Sequence, residues 1–145
     1  MRIISGSKKS LSIRAPKDIP SRPTTDKVKE SLFNIIINRF NIYEVRVLDL
    51  FAGTGNISFE FASRGTKKII SVDNNLKCIK FIKETSAKHG FNIITKRKNY
   101  IDFLIKNDEN FDIIFADPPY LFSIDKYFEL LNIIRQRDIL LDNGQ

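Results

Sequence analysis

Four apolar runs, Val45 to Leu50, Lys68 to Val72, Asn92 to Thr95 and Phe111 to Ala116, punctuate the chain. They recur at intervals of roughly 20 to 25 residues, the length of a strand-plus-helix unit in a parallel sheet. Val47-Leu48 and Ile113-Ile114-Phe115 are continuous apolar stretches, as expected of parallel strands buried on both faces. The segments between the runs carry helix signals. Ile57 to Arg64 stops at Gly65 and Asn75 to His89 stops at Gly90, each glycine supplying the usual helix terminator. Tyr100 to Lys106 sets Ile101, Leu104 and Ile105 on one side. Ahead of the first run, Val28, Leu32, Ile35 and Ile36 recur at helical spacing from Asp26 to near Phe40, with Thr24 or Thr25 available as cap. The pattern predicts one α/β domain over residues 24–145, built on a doubly wound, mostly parallel sheet. In such sheets the ligand cleft lies beyond the carboxyl ends of the strands.

Residues 1–23 differ in character. Arg2, Lys8, Lys9, Arg14, Lys17 and Arg22 are interspersed with Ile3, Ile4, Leu11 and Ile13, and Gly6 can turn a short hairpin. With 24 Lys and Arg against 17 Asp and Glu, the net charge is +7, a balance suited to a polyanionic partner. Lys96-Arg97-Lys98 is a second candidate phosphate contact, or else a solvated loop. The lone Cys78 and lone His89 exclude a disulfide framework and a Cys or His metal cluster, so no metal is expected. With neither a cleavable leader nor an apolar run long enough for a bilayer, the expected location is the cytoplasm, with no membrane contact.

The cleft rule brings three carboxylates together at strand ends: Asp49, Asp73 and Asp117. Between the first strand and its helix runs Phe51-Ala52-Gly53-Thr54-Gly55-Asn56, where Gly53 and Gly55 allow close backbone approach to a ligand. A dinucleotide fingerprint needs a further glycine where Ser58 stands, and no Gly-Lys-Ser or Gly-Lys-Thr phosphate loop follows. What remains suits a nucleoside-like ligand without a pyrophosphate. Asp73 is placed for ribose hydroxyls, and Asp49 for the ligand's cationic end, either directly or through the loop's amides.

Asp117-Pro118-Pro119-Tyr120 is the most specific element. Two prolines cannot continue a sheet ladder, and the first holds Asp117 in an extended conformation. The Asp117 carboxylate and the Pro118 carbonyl can then accept both hydrogens of an exocyclic amine, while Tyr120 offers a face for a nucleobase.

Taken in order, Asp49-Leu-Phe-Ala-Gly-Thr-Gly55, Val72-Asp73 and Asp117-Pro-Pro-Tyr120 resemble the S-adenosylmethionine-dependent amino-methyltransferases. Met1-Arg-Ile-Ile-Ser-Gly6 and Arg22-Pro-Thr-Thr-Asp-Lys-Val-Lys-Glu-Ser-Leu-Phe-Asn34 narrow the likeness to the RsmD family, which methylates the N2 amine of a guanine in 16S ribosomal RNA. The resemblance implies a class I methyltransferase fold and S-adenosylmethionine as cofactor. It implies that Phe51, Ala52, Gly53 and Gly55 hold the methionine part, Asp73 the ribose and Asn99 the adenine, at a position where many relatives have Asp. Asp117, Pro118 and Tyr120 then carry the catalytic role. The implied partner is 16S ribosomal RNA, within an assembling small subunit or free, with a monomer expected and Lys8, Lys9, Arg14 and Arg22 as candidate RNA contacts. Leu140 to Gln145 reads as a turn entering another strand. Because the family's sheet continues, the expectation is a domain truncated at its carboxyl end. An adenine-N6 or other amino-methyltransferase, and an RNA-binding module without catalysis, are the alternatives.

Overall fold

The computed structural model describes residues 1–19 and 24–144. Its elements are α1 (Asp26–Arg39), β1 (Arg46–Leu50), α2 (Asn56–Ser63), β2 (Lys68–Asp73), α3 (Leu76–His89), β3 (Ile94–Arg97), α4 (Tyr100–Ile105), β4 (Ile113–Ala116) and α5 (Ile124–Gln136). The described strands form a parallel four-stranded sheet in the order β3-β2-β1-β4. The chain moves outward from β1 through β2 to β3, then returns to the other side of β1 to lay down β4. That reversal between β1 and β4 is the topological switch point, where a crevice opens beyond the strand ends.

Alternation along β1 explains how both faces are covered. Leu48 and Leu50 join Ile70, Val72, Phe103, Leu104, Phe111 and Leu130 in a core under α4 and α5. Val47 points the other way, into a core with Phe33 and Ile36 of α1, Ile57 and Phe61 of α2, Ile69 and Ile113. Each fully buried aliphatic or aromatic side chain contributes about 1.5–3 kcal/mol, so the doubly wound arrangement follows from the continuous apolar runs.

One expectation is revised and one element is added. The third strand lies two residues later than its apolar run suggests, at Ile94–Arg97, and this edge strand is largely exposed, without burial on both faces. Lys96 and Arg97 therefore belong to a strand edge, and only Lys98 of the basic run lies outside it. No helix was expected after Asp117-Pro-Pro-Tyr120, yet α5 covers the sheet there through Leu130, Ile133 and Ile134. Beyond α5 the chain comes back beside β4. The Phe111 amide donates to the Ile139 carbonyl and the Leu141 amide to the Phe111 carbonyl, in a single parallel bridge.

The amino-terminal residues fold as the hairpin that Gly6 suggested, with Arg2 bridged to Ser12 and Ile3 and Ile13 buried against Ala52, Phe59 and Ile82. Gly6 has φ +88°, and a Cβ on it would stand 1.9 Å from the Ser63 carbonyl oxygen. Only glycine lets this turn dock on the end of α2. Glu60, fully buried on α2, accepts hydrogen bonds from the amides of Ile4 (2.9 Å) and Ser5 (3.1 Å). Its carboxylate also meets Arg64 Nε at 3.0 Å and the buried Lys29 Nζ at 3.6 Å. Burial pushes the Lys29 ammonium below its ordinary pKa, with Glu60 and Asp26 opposing the shift. One carboxylate thus ties the hairpin, α1 and α2 together.

Candidate active site

The glycine loop is fixed from below by backbone geometry. The Ala52 amide donates to the Val72 carbonyl (3.0 Å) and the Gly55 amide to the Ala52 carbonyl (2.7 Å). Gly55 caps α2 in the left-handed region at φ 73°, and a Cβ there would lie 2.8 Å from Ile82 Cγ1 and 3.2 Å from the Phe59 ring. A larger residue there would have to displace Ile82 and Phe59, so this glycine is fixed by its packing on the protein side and by its positive φ. Phe51 at the head of the loop also has a positive φ, 64°, an uncommon conformation for a bulky side chain.

Asp73, at the end of β2, does more than project into the cleft. Its Oδ2 accepts from the Gly53 amide at 2.8 Å and its Oδ1 from the Asn75 amide at 2.8 Å. The acid therefore braces the glycine loop, and each oxygen keeps a lone pair for a ligand hydroxyl. Sequence spacing pointed to the acid but not to this brace.

Asp49 is 2% exposed and lies beneath the loop, where Ser58 Oγ donates to its Oδ2 at 2.5 Å and Ser71 Oγ stands 2.7 Å from Ser58 Oγ. Of the two routes open to this residue, the one through the loop matches its burial. Desolvation pushes the Asp49 carboxyl up to about 7; the Ser58 hydrogen bonds oppose the shift, and the charges of Asp73 and Asp117 add to it. The folded chain thus holds this proton more tightly than the unfolded chain, whose ordinary value is 3.8. Stability tied to neutral Asp49 is fully present below that value and is lost as pH rises through about 7. We expect Asp49→Asn to flatten the pH dependence of urea unfolding between these limits, removing a wild-type loss of at most about 4 kcal/mol. An unchanged slope in the variant would assign the pH dependence elsewhere.

Asn99 follows β3 and caps α4, its Oδ1 accepting from the Ile101 amide at 2.9 Å. It lines an open hollow with Asn74, Arg97, Lys98, Asp102 and Lys106. With one bond to Oδ1, the side chain keeps a lone pair on that oxygen and both N–H groups for a ligand.

Asp117 comes directly after β4. The register pairs Leu50 with Ala116, so Phe51 and Asp117 are the next residues out on adjacent strands. The Asp117 tetrapeptide and the glycine loop thus leave the sheet side by side. Asp117 is exposed, Pro118 half-buried, and Tyr120 85% exposed. The Phe122 amide donates to the Pro119 carbonyl at 2.8 Å, closing a turn ahead of α5.

Among the basic candidates, Arg14 is exposed just after Ile13, whose side chain packs with Ala52 of the loop. Lys8 and Lys9 sit at the hairpin tip, where the amides of Ser7 and Lys8 bond to Ser63 at the far end of α2. Eight residues of helix, about 12 Å at 1.5 Å per residue, separate them from the loop. Arg22 lies outside the described residues. Among those described, no three His, Cys, Asp or Glu residues converge on a metal position, and no helix is long and apolar enough to cross a membrane.

The family model described as Conserved hypothetical protein 95 matches residues 1–145. The chain belongs to this family, the RsmD family. Among its relatives, the protein YlbH of Bacillus subtilis (strain 168) is 39% identical over 149 residues, covering 99% of this chain and 79% of its own length. The ribosomal RNA small subunit methyltransferase D of Buchnera aphidicola subsp. Baizongia pistaciae is 36% identical over 121 residues, covering 83% of this chain and 61% of its own. In fold, the chain matches protein TTHA0928 of Thermus thermophilus with a TM-score of 0.83 at 23% identity, over 97% of this chain and 80% of that one. The RsmD-family chain also matches YhhF of Escherichia coli, whose structure is described as that of a methyltransferase, with a TM-score of 0.81 at 26% identity, over 99% of this chain and 73% of that one. It thus carries the doubly wound class I methyltransferase fold.

Proposed function

We propose that this chain transfers the methyl group of S-adenosylmethionine to the exocyclic N2 amine of a guanine in 16S ribosomal RNA of the small subunit. The observation that carries the reading is the β1–β4 register, which sets Asp117-Pro118-Pro119-Tyr120 beside the glycine loop. The names of the relatives in the family support a ribosomal RNA substrate. The residues present fit an adenosyl donor: Asp73 retains acceptor capacity beside the glycine loop, and Asn99 keeps its amide nitrogen and a lone pair on Oδ1. Phe51, Ala52, Gly53 and Gly55 would hold the methionine part, Asp73 the ribose and Asn99 the adenine. Asp49, buried beneath, would act by supporting the loop.

Bound in this way, S-adenosylmethionine supplies an electrophilic methyl group. The chain's own task is to present a poor nucleophile, since the guanine N2 lone pair is delocalised into the ring. Asp117 and the Pro118 carbonyl accept the two N–H groups, so that the lone pair can turn toward the methyl as the nitrogen becomes tetrahedral. The carboxylate opposes the positive charge growing on nitrogen, and the surplus proton leaves through exposed Asp117 to solvent. Tyr120 provides a stacking face for the base, which must leave its own stack to reach the pocket. Arg14, with Lys8 and Lys9 farther along the hairpin, would contact RNA phosphates. One copy contains every group used here, in keeping with a monomer, and its place of action would be the cytoplasm.

The test is transfer of labelled methyl to small-subunit particles from cells lacking the modification, run beside double-stranded DNA. Label is expected in 16S ribosomal RNA, with RNA affinity falling steeply as salt rises. Label entering DNA as methyladenine would overturn the reading.

A further inference from the structure

The loop that follows Asp117 is held by an aromatic cluster. Phe122 packs edge-on to Phe51 at 5.5 Å and to Tyr100 at 5.4 Å, and Phe51 lies 5.1 Å from Tyr100. The three rings come from three functional segments. Phe51 opens the glycine loop, Tyr100 follows Asn99, and Phe122 is two residues past Tyr120. Phe122 also meets Tyr127 edge-on at 5.0 Å. Ser123 is the N-cap of α5, so Phe122 and Tyr127 occupy the N′ and N4 positions of a hydrophobic staple, which fixes the angle at which a chain enters a helix. The turn bond from the Phe122 amide to the Pro119 carbonyl adds a second constraint on the same short loop. Phe51, in turn, holds a left-handed φ of 64°, a conformation that persists at functional sites only when its surroundings enforce it.

We propose that Phe122 is a positioning residue for methyl transfer, setting the distance and angle between the Asp117-Pro118-Pro119-Tyr120 loop and the glycine loop. The proposal rests on the methyl-transfer reading above. A donor held by one loop and an amine held by the other react only when the two loops are in register, and a misplacement of about 1 Å costs on the order of 100-fold in rate. Phe122 touches the glycine-loop aromatic, the α4 aromatic and the staple residue of α5 at once. It need not touch either substrate to act.

The test uses the full chain and two variants, Phe122→Leu and Phe122→Tyr. S-adenosylhomocysteine binding is measured by calorimetry, and methyl transfer to small-subunit particles is measured at saturating donor. Phe122→Leu keeps apolar bulk but loses the ring edges, and should lower kcat about 10- to 100-fold while donor affinity stays within about threefold. Phe122→Tyr keeps the ring and should restore kcat to within about threefold of wild type. A kcat unchanged in Phe122→Leu, a fall no greater than the accompanying loss of donor affinity, or failure of the tyrosine to restore the rate would each overturn the positioning role. Absence of donor binding by the wild-type chain would instead strike at the methyl-transfer reading itself.

Discussion

Asp117→Ala lowers kcat for methyl transfer by about 10²–10³-fold or more, while affinity for S-adenosylhomocysteine stays within about threefold. The expectation follows from where Asp117 stands. It is exposed at the carboxyl end of β4, next to the glycine loop but outside the bonds that hold it, which run from Asp73, Val72 and Ala52. Removing its carboxylate takes away the acceptor for one amine hydrogen and the charge that opposes the developing cation. It removes nothing from the core. Thermal stability should therefore stay within about 0.5 kcal/mol of wild type, as for surface substitutions generally. Single-turnover rates and calorimetry on the same preparation check both halves. Turnover at the wild-type rate would remove Asp117 from the chemistry, and a parallel collapse of donor affinity would make it a cofactor residue.

Glu60→Ala should have the opposite signature, with a large loss of stability. The substitution leaves the buried Lys29 ammonium with only the Arg2 carbonyl and the more distant, half-exposed Asp26 carboxylate, withdraws the acceptor from Arg64, and leaves the amides of Ile4 and Ser5 without the carboxylate they bond. Breaking a buried pair by removing one partner costs about 3–5 kcal/mol, chiefly because the remaining charge stays desolvated. Urea unfolding should show a loss of this size. The double variant Glu60→Ala, Lys29→Met removes the stranded charge and should recover a good part of it, since replacing both members of a buried pair by apolar groups is often close to neutral. A loss below about 1 kcal/mol in the single variant would mean that the Arg2 carbonyl, Asp26 or entering water compensates the Lys29 charge.

Much of this molecule was legible in its sequence, and most of the exceptions have physical causes. The strand period and the continuous apolar runs were enough for a doubly wound sheet, because parallel strands buried on both faces leave few other ways to satisfy such a pattern. The edge strand β3 was displaced because Asn92 and Ile93 looked like its start, whereas an edge strand with one covered side has no need of a long apolar run. Helix α5 was missed without such a cause. Its apolar side chains gather to one side at least as clearly as those of α1, with Leu130, Ile133 and Ile134 facing the core, so the helix was within reach of the same periodicity. Within the site, the acids at strand ends and the glycine loop could be found by position. The brace from Asp73 to Gly53, the Ser58–Ser71 network under Asp49 and the grip of Glu60 on residues more than fifty positions away are tertiary facts that no local pattern encodes. The Phe122–Tyr127 staple was within reach, since an aromatic before a serine cap and another at N4 is a recognisable helix start.

The most direct measurement is the position of the new methyl group. 16S ribosomal RNA treated with this chain and labelled S-adenosylmethionine would be digested to nucleosides, resolved by mass spectrometry and mapped by fragment. Label in N2-methylguanosine at a single position, lost in the Asp117→Ala chain, is the predicted result. Label on another atom or another base would contradict it, as would unmodified RNA from a chain that binds the donor.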